Sequence, residues 1–215
     1  MKNKFRSGEA IAYCLLFIAC CLIITSCDSD DDYVPKPRAY MRITFPEKKY
    51  VVYSAECPYK FNIPVYSTMA KDTVYNALPC WLNLNFPSFN GTLHITYVPL
   101  EGNINKYMED TYELATKHQI KASAIEQQQI SKPANHVYGL AYDIEGNAAS
   151  PFQFFLTDST KHFLRGALYF NAAPNIDSIG PVVEFIKKDI FEMIESFEWK
   201  NANTSGTLPQ TVHKK

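Results

Sequence analysis

The chain of 215 residues is 47% apolar and 14% aromatic, with 21 basic against 22 acidic side chains and a net charge of −1. That supplies enough apolar mass for one core with tails. The near-neutral balance argues against nucleic acid as a partner, and no P-loop, GxGxxG or HExxH string points to a nucleotide, dinucleotide or zinc chemistry.

Lys2, Lys4 and Arg6 precede an apolar run from Ile11 to Ile24. The run falls short of the ~20 residues that span a bilayer. A basic flank, a short apolar core and small residues at its end are the layout of a secretory leader. Ile24-Thr25-Ser26-Cys27 resembles a bacterial lipobox, which implies cleavage before Cys27 and lipid on its sulfur. Each buried methylene would contribute about 0.8 kcal/mol, so two or three acyl chains would hold the protein on a membrane without any spanning helix. The expected organisation is a leader over 1–26, an acidic and proline-rich tether over 27–39, one α+β globular domain over 40–200 and a disordered tail over 201–215. Losing Lys2, Lys4, Arg6 and Glu9 with the leader changes the net charge from −1 to −3.

Cys14, Cys20 and Cys21 leave with the leader, and Cys27 is spent on lipid. Cys57 and Cys80 remain as an even pair in a compartment that permits disulfides, so a bridge is expected, with two buried thiols as the alternative. No CxxC or HxxxH spacing accompanies them, and the five histidines are dispersed, so no metal or cofactor is expected.

Strand patterns begin at Tyr40–Phe45 and Lys49–Tyr53. Phe61–Thr68 alternates as well, but Pro64 demotes it to an edge or bulged strand. In Cys80–Phe86, Leu82, Leu84 and Phe86 share one face and Asn83 and Asn85 the other. Asn90-Gly91 then predicts a tight turn into a strand over Leu93–Val98. A helix is expected from about Asn105 to Gln119, capped by Asn103 or Asn105, with Ile104, Tyr107, Met108, Ala115 and His118 inward. Four strands follow, Ala124–Ile130, His136–Glu145, Phe152–Thr157 and His162–Asn171. Their short connections predict an antiparallel meander. The last of the four carries apolar groups on both faces, which predicts a central position covered on both sides. A final helix is expected to be capped by Asp177 or Ser178, with Pro181 in its first turn. Ile179, Val183, Ile186, Ile190, Met193 and Phe197 form its inward stripe, with Asp189 among the residues outside it. The sum is an α+β fold, an antiparallel sheet with covering helices. Its order of elements looks like a PsbP-like sandwich.

Three clusters could carry function. Lys117, His118 and Lys121 end the first helix, where basic groups are favoured by the macrodipole and could also contact an anion. Asp158, Lys161, His162 and Arg165 surround one hairpin turn. A hydrolase triad of Asp158, Ser159 and His162 is rejected, because Asp and Ser here are ordinary turn formers and no strained nucleophile elbow is present. Arg165, in an apolar strand, must find a partner, with Asp158 or Asp143 as candidates. The aromatic and proline-rich stretch from Tyr33 to Lys48 reads equally as a partner-docking segment or as a strap across the domain.

Several strings together resemble the gliding motility lipoprotein GldD family of Bacteroidota. They are Pro35-Lys36-Pro37-Arg38, Arg42-Ile43-Thr44-Phe45-Pro46-Glu47-Lys48, Cys57-Pro58-Tyr59, Cys80-Trp81-Leu82-Asn83, Lys117-His118-Gln119-Ile120-Lys121 and the long run from Thr157 to Phe170. The resemblance spans about Tyr33 to Trp199. It implies a non-catalytic lipoprotein working beside the gliding and type IX secretion machinery, with envelope proteins as partners. Lys117, His118, Lys121, Asp158, Lys161, His162 and Arg165 are then the candidate partner-binding residues. The competing expectation is an envelope hydrolase or carbohydrate-binding module using Asp158, His162, Arg165 and Glu145. Asp28 suggests inner-membrane retention and Ser29-Asp30-Asp31-Asp32 surface export. A lipid-anchored, periplasm-facing position is the expectation.

Overall fold

Alternating apolar residues over most of the sequence become paired strands in the computed structural model, which describes residues 12–13, 15–18, 42–172 and 175–200. The strands before the first long helix are β1 (Tyr50–Tyr53), β2 (Tyr59–Pro64), β3 (Thr68–Lys71), β4 (Leu82–Phe86) and β5 (Gly91–Pro99). Helix α1 (Ile104–Thr116) follows, then β6 (Ala122–Lys132), β7 (Val137–Gly146), β8 (Phe152–Thr157) and β9 (His162–Phe170). Helix α2 (Ile176–Glu195) and the short β10 (Glu198–Trp199) complete the order. The chain divides between Ala39 and Tyr40 into two units. In the first, residues 12–13 and 15–18 are helical. The lipobox cysteine Cys27, the tether and the tail from 201 lie outside the described residues.

The fold is α+β and antiparallel. Seven strands run in the order β3-β4-β5-β9-β8-β7-β6, and β1-β2-β10 form a smaller sheet. The expected meander is present, since β6 pairs β7, β7 pairs β8 and β8 pairs β9. The expected hairpin is present too, with Leu82 opposite Ile95 and Phe86 opposite Gly91. Its turn is a 3-10 segment, Pro87–Phe89, ended by Asn90 at φ 49°. Asn tolerates that left-handed geometry better than most residues.

Strand β9 is the middle strand, and its two faces feed two cores. Leu164 and Leu168 join Phe152, Phe154, Leu156, Ile186 and Ile190 in the larger core, under α2 and the small sheet. Phe163 joins Phe155, Tyr142, Ile144 and Ala115 in the smaller core, under α1. The two-sided apolar pattern of β9 is the reason both faces can be covered.

Four expectations need correction. Residues 42–49 form no strand. They are a strap, with Phe45 stacked on Phe185 of α2 at 4.4 Å between centroids. The Phe61–Thr68 pattern breaks at Pro64, which cannot donate to a ladder. The Ser67 N–H and hydroxyl turn back to the Pro64 carbonyl, and Thr68 starts β3 in the other sheet. Helix α1 ends at Thr116 and gives way to a 3-10 turn, Lys117–Ile120. Asn103 occupies its N-cap, but the side-chain oxygen accepts the Glu101 N–H rather than a helical one. Met108 faces out, whereas Ala115 is buried as expected and Thr111 is buried beside it. Finally, α2 starts at Ile176, whose N–H donates to Asn147 Oδ1. Pro181 therefore stands in the second turn, not the first.

Cys57 and Cys80 are joined by a disulfide with Cα atoms 5.5 Å apart, tying the approach to β2 to the approach to β4. Closing a loop of this size contributes about 3 kcal/mol. A Cys57→Ser, Cys80→Ser double variant is expected to lose about that much in a denaturant titration, and added reductant should then leave it unchanged.

Candidate functional site

The sequence cluster from Asp158 to Arg165 is split by the strand it sits on. Successive side chains of a strand point to opposite faces. His162 falls on the α2 face of β9 and Arg165 on the α1 face, so the two belong to different environments.

On the α2 face, a cleft of about 670 Å³ opens between the β8–β9 loop, the Pro133–Asn135 turn and β10. Asp158, Lys161, His162, His136 and Trp199 line it. The His162 ring stacks on Trp199 with centroids 5.0 Å apart, and its Nδ1 is 2.8 Å from the Tyr97 hydroxyl. Burial pulls the imidazole below its ordinary pKa, and Lys161 adds to this, while the charge of Asp158 opposes it. Asp158 closes its own loop. Its Oδ1 accepts the backbone N–H groups of Thr160, Lys161 and His162, and its Oδ2 the Thr160 hydroxyl. Burial pushes this carboxyl up, but those donors outweigh burial and hold it below the usual carboxylate range. Ser159 is at the exposed loop tip with φ 68°. The Asp158 carboxylate thus receives the His162 backbone rather than its ring, which is not a triad geometry. Glu145 is exposed at the opposite end of β7 from this loop, roughly 20 Å away along the strand.

On the α1 face, Arg165 Nη2 donates to Gln153 Oε1 at 2.5 Å. Neither expected acid is its partner. Asp143 accepts from Lys187, and Asp158 is occupied by its loop. His118 comes near enough that burial and then the charge of Arg165 lower its pKa. Lys117 and Lys121 are exposed at the 3-10 turn that follows α1. Lys161 is exposed on the other side of the sheet's hairpin loop. The structure therefore groups His118 with Arg165, and Asp158 with Lys161 and His162, as two separate sites.

One cluster was missed from sequence. Asp189 of α2 is 1% exposed. It accepts Lys48 Nζ at 2.6 Å and the Tyr50 hydroxyl at 2.9 Å on Oδ1, and the Tyr66 hydroxyl on Oδ2. Lys48 also lies 3.4 Å from the centroid of the Phe185 ring. Burial depresses the Lys48 pKa by more than Asp189 raises it. A signal was present, because position 189 falls three residues after Ile186 and four before Met193, on the buried stripe.

Among the described residues, no group of three or more His, Cys, Asp or Glu side chains is placed to hold a metal ion. No described helix is long and apolar enough to cross a membrane.

The depressed pKa values fix a pH dependence. His118 and His162 titrate lower in the folded chain than unfolded. The unfolded state therefore takes up protons first, and stability present above about pH 6.5 is lost as pH falls below it. Asp158 is lowered too, so its contribution is lost only below about pH 4. Denaturant midpoints measured from pH 8 to pH 3 are expected to fall in these two windows. His162→Gln should weaken the first fall and leave the second.

Fold and sites together define an α+β sandwich whose central sheet carries one site on each face. The chain belongs to the gliding motility lipoprotein GldD family, whose profile matches residues 30–199. No curated protein matches it. Among solved structures it is similar to the solution structure of cyanobacterial PsbP (CyanoP) from Synechocystis sp. PCC 6803. The identity is 11% and the TM-score 0.45, over 74% of this chain and 97% of that one.

Proposed function

We propose that this chain is a lipid-anchored component or assembly factor of the gliding motility and type IX secretion machinery, working by binding envelope proteins rather than by catalysis. The family match over residues 30–199 carries this reading, since it takes in the strap, both sheets and both helices. The lipid would sit on Cys27, with the domain facing the periplasm. The geometry at the loop supports a non-catalytic role. The Asp158 carboxylate is held by the N–H groups of its own hairpin, and His162 Nδ1 by the Tyr97 hydroxyl, so this acid and this imidazole do not pair as a catalytic dyad. The exposed Lys117, Lys121 and Lys161 supply charge for contacts with partners.

Crosslinking in native membranes, followed by purification in mild detergent, tests the proposal. Motility or secretion subunits are expected with the wild-type chain. A Cys27→Ala form is expected in the soluble fraction without those subunits. Repeated recovery of the wild-type chain alone would overturn the reading. Loss of phenotype in His162→Ala or Arg165→Ala with partner binding intact would favour the envelope hydrolase or carbohydrate-binding alternative.

A further inference from the structure

Strand β6 is a free edge of the seven-stranded sheet, with β7 as its one neighbour among the described residues. It runs for 11 residues, Ala122–Lys132, and pairs with β7 from end to end. A sheet edge presents a row of unpaired N–H and C=O groups, because alternate residues point theirs away from the neighbouring strand. Among the described residues, no strand or loop backbone reaches the outer side of β6. Folded proteins defend such an edge by keeping it short, or by placing Pro, charge or a bulge on it. The other edges follow that rule, with four residues each in β1 and β3 and two in β10. β6 does not. It has no Pro, its irregularity lies at the start, between Ala122 and Ala124, and its charges are Glu126 and Lys132. Lys132 is turned onto the last carbonyls of α2 and the Phe197 carbonyl beyond them. Ser123, Ala124, Ser131 and the run from Glu126 to Gln129 are all exposed, so the edge is open to a partner.

We propose that β6 is a docking edge, to which an extended segment of an envelope partner adds as a further strand and sets a basic side chain against Glu126. Main-chain pairing supplies the affinity in this mode, and alternate side chains supply the choice of partner. The charge of the partner follows from the register. Glu126 stands directly opposite Asp143 of β7, and like charges so placed repel. Glu145, two positions on from Asp143, shares their face. Helix α2 brings Glu184 and Lys187 to the same place, where Lys187 pairs with both Asp143 and Glu184. That end of the face therefore sets four carboxylates against one ammonium, and Glu126 is the one left facing the open edge. The next cation of α2, Lys188, acts on Lys48 at the strap instead. A cavity of about 80 Å³ opens beside Glu126, lined also by Gln128, Asp143, Phe152 and Phe191. Carboxylates and aromatic rings together suit a basic group. A second copy of β6 is a poor occupant. Antiparallel self-pairing about a two-fold axis keeps like faces together, and would add another Glu126 and Asp143 to this one. The partner class rests on the binding role proposed above, whereas the edge can be probed without knowing the partner.

The test places the photo-crosslinker benzoylphenylalanine at position 127 of the full chain in native membranes, with position 70 on the β3 edge as control. An adduct to an envelope protein is expected from 127 and not from 70, and its mapped segment is expected to carry Lys or Arg close to the crosslinked residue. Glu126→Lys is expected to cut the adduct yield about fivefold. It also faces Asp143 with an opposite charge, so its Tm should equal or exceed wild type and unfolding cannot explain the loss. Of Gln128→Pro and Gln129→Pro, one takes an N–H out of the β7 ladder and melts lower, while the other removes an outward N–H and keeps its Tm. The variant that keeps its Tm is expected to lose the adduct. No adduct at 127 would overturn the proposal. So would an adduct with a second copy or with residues 1–41 or 201–215 of the same chain, a mapped segment without a basic residue, or an undiminished yield in Glu126→Lys or in the folded proline variant. Those failures leave the recovery of motility or secretion subunits, and the machinery reading with it, untouched. An adduct to an envelope protein outside that machinery would uphold the edge and count against the machinery reading.

Discussion

Replacing Asp189 with alanine is expected to destabilise the folded chain by about 3–5 kcal/mol, because it removes one partner of a buried ion pair and leaves the other behind. Lys48 and the hydroxyls of Tyr50 and Tyr66 all converge on this one carboxylate. Lys48 is itself only 28% exposed at the side chain, so water cannot readily replace the lost oxygen. Its remaining contacts, the Phe185 carbonyl at 2.8 Å and the Phe185 ring, do not neutralise its charge. Asp189→Asn keeps the shape and one acceptor oxygen, and is expected to cost about 1–3 kcal/mol. Urea titrations with an unchanged m-value would measure both. A loss under about 1 kcal/mol for the alanine variant would show that the cluster does not hold the fold.

The consequence extends beyond energy. Lys48 belongs to the strap, Tyr50 to β1 and Tyr66 to the turn after β2, while Asp189 belongs to α2. One carboxylate therefore pins the segment that follows residue 41 to the last helix. In Asp189→Ala, limited proteolysis is expected to cut first within 42–49, before either sheet is opened.

The reach of the sequence can be read from particular elements. The β4–β5 hairpin, the meander and the central place of β9 followed from period-two alternation and short turns, both of which are local signals. The helix stripe Val183, Ile186, Ile190 and Met193 followed from period 3.6. What escaped was decided by contacts distant in sequence. Asp189 reads as a surface acid until Lys48, 141 positions earlier, is placed beside it. Tyr40–Phe45 alternates like a strand, but the described part of that segment spends its aromatic ring on Phe185 instead of a ladder. Asp158, His162 and Arg165 are neighbours in sequence, yet strand alternation sends His162 and Arg165 to opposite faces. Gln153, which accepts from Arg165, lies on the adjacent strand, where Phe155 is opposite Arg165. It carried no signal of its own, because a glutamine in an apolar strand can face either core or solvent.

Gly139→Ala is expected to be the most damaging of the small core substitutions. Gly139 lies within β7, opposite Ile130 of β6 and Leu156 of β8, with strands on both sides. A Cβ there would stand 1.9 Å from the Phe155 carbonyl oxygen and 3.0 Å from its carbon. The backbone at Gly139 is not left-handed, so the requirement is space rather than conformational freedom. Overpacking usually costs about 1–3 kcal/mol where side chains can give way. Here the obstacle is a backbone group held between β7 and β9, and moving it disrupts two ladders, so a loss above about 3 kcal/mol is expected. Two other glycines calibrate the claim. At Gly166 the obstacle is the buried Phe154 ring at 2.2 Å, which must swing away into a filled core. At Gly91 the Phe170 ring and the Ile186 methyl stand at 3.2 and 3.3 Å and need yield only slightly. The expected order of destabilisation is Gly139→Ala, then Gly166→Ala, then Gly91→Ala, the last within about 1 kcal/mol of wild type. Urea midpoints of the three variants measure it, with amide exchange across β7 and β8 as the local readout. If Gly139→Ala were as stable as Gly91→Ala, the close approach of β7 to β8 at Phe155 would not exist in solution, and the covered position of Gln153 on the same strand would have to be abandoned with it.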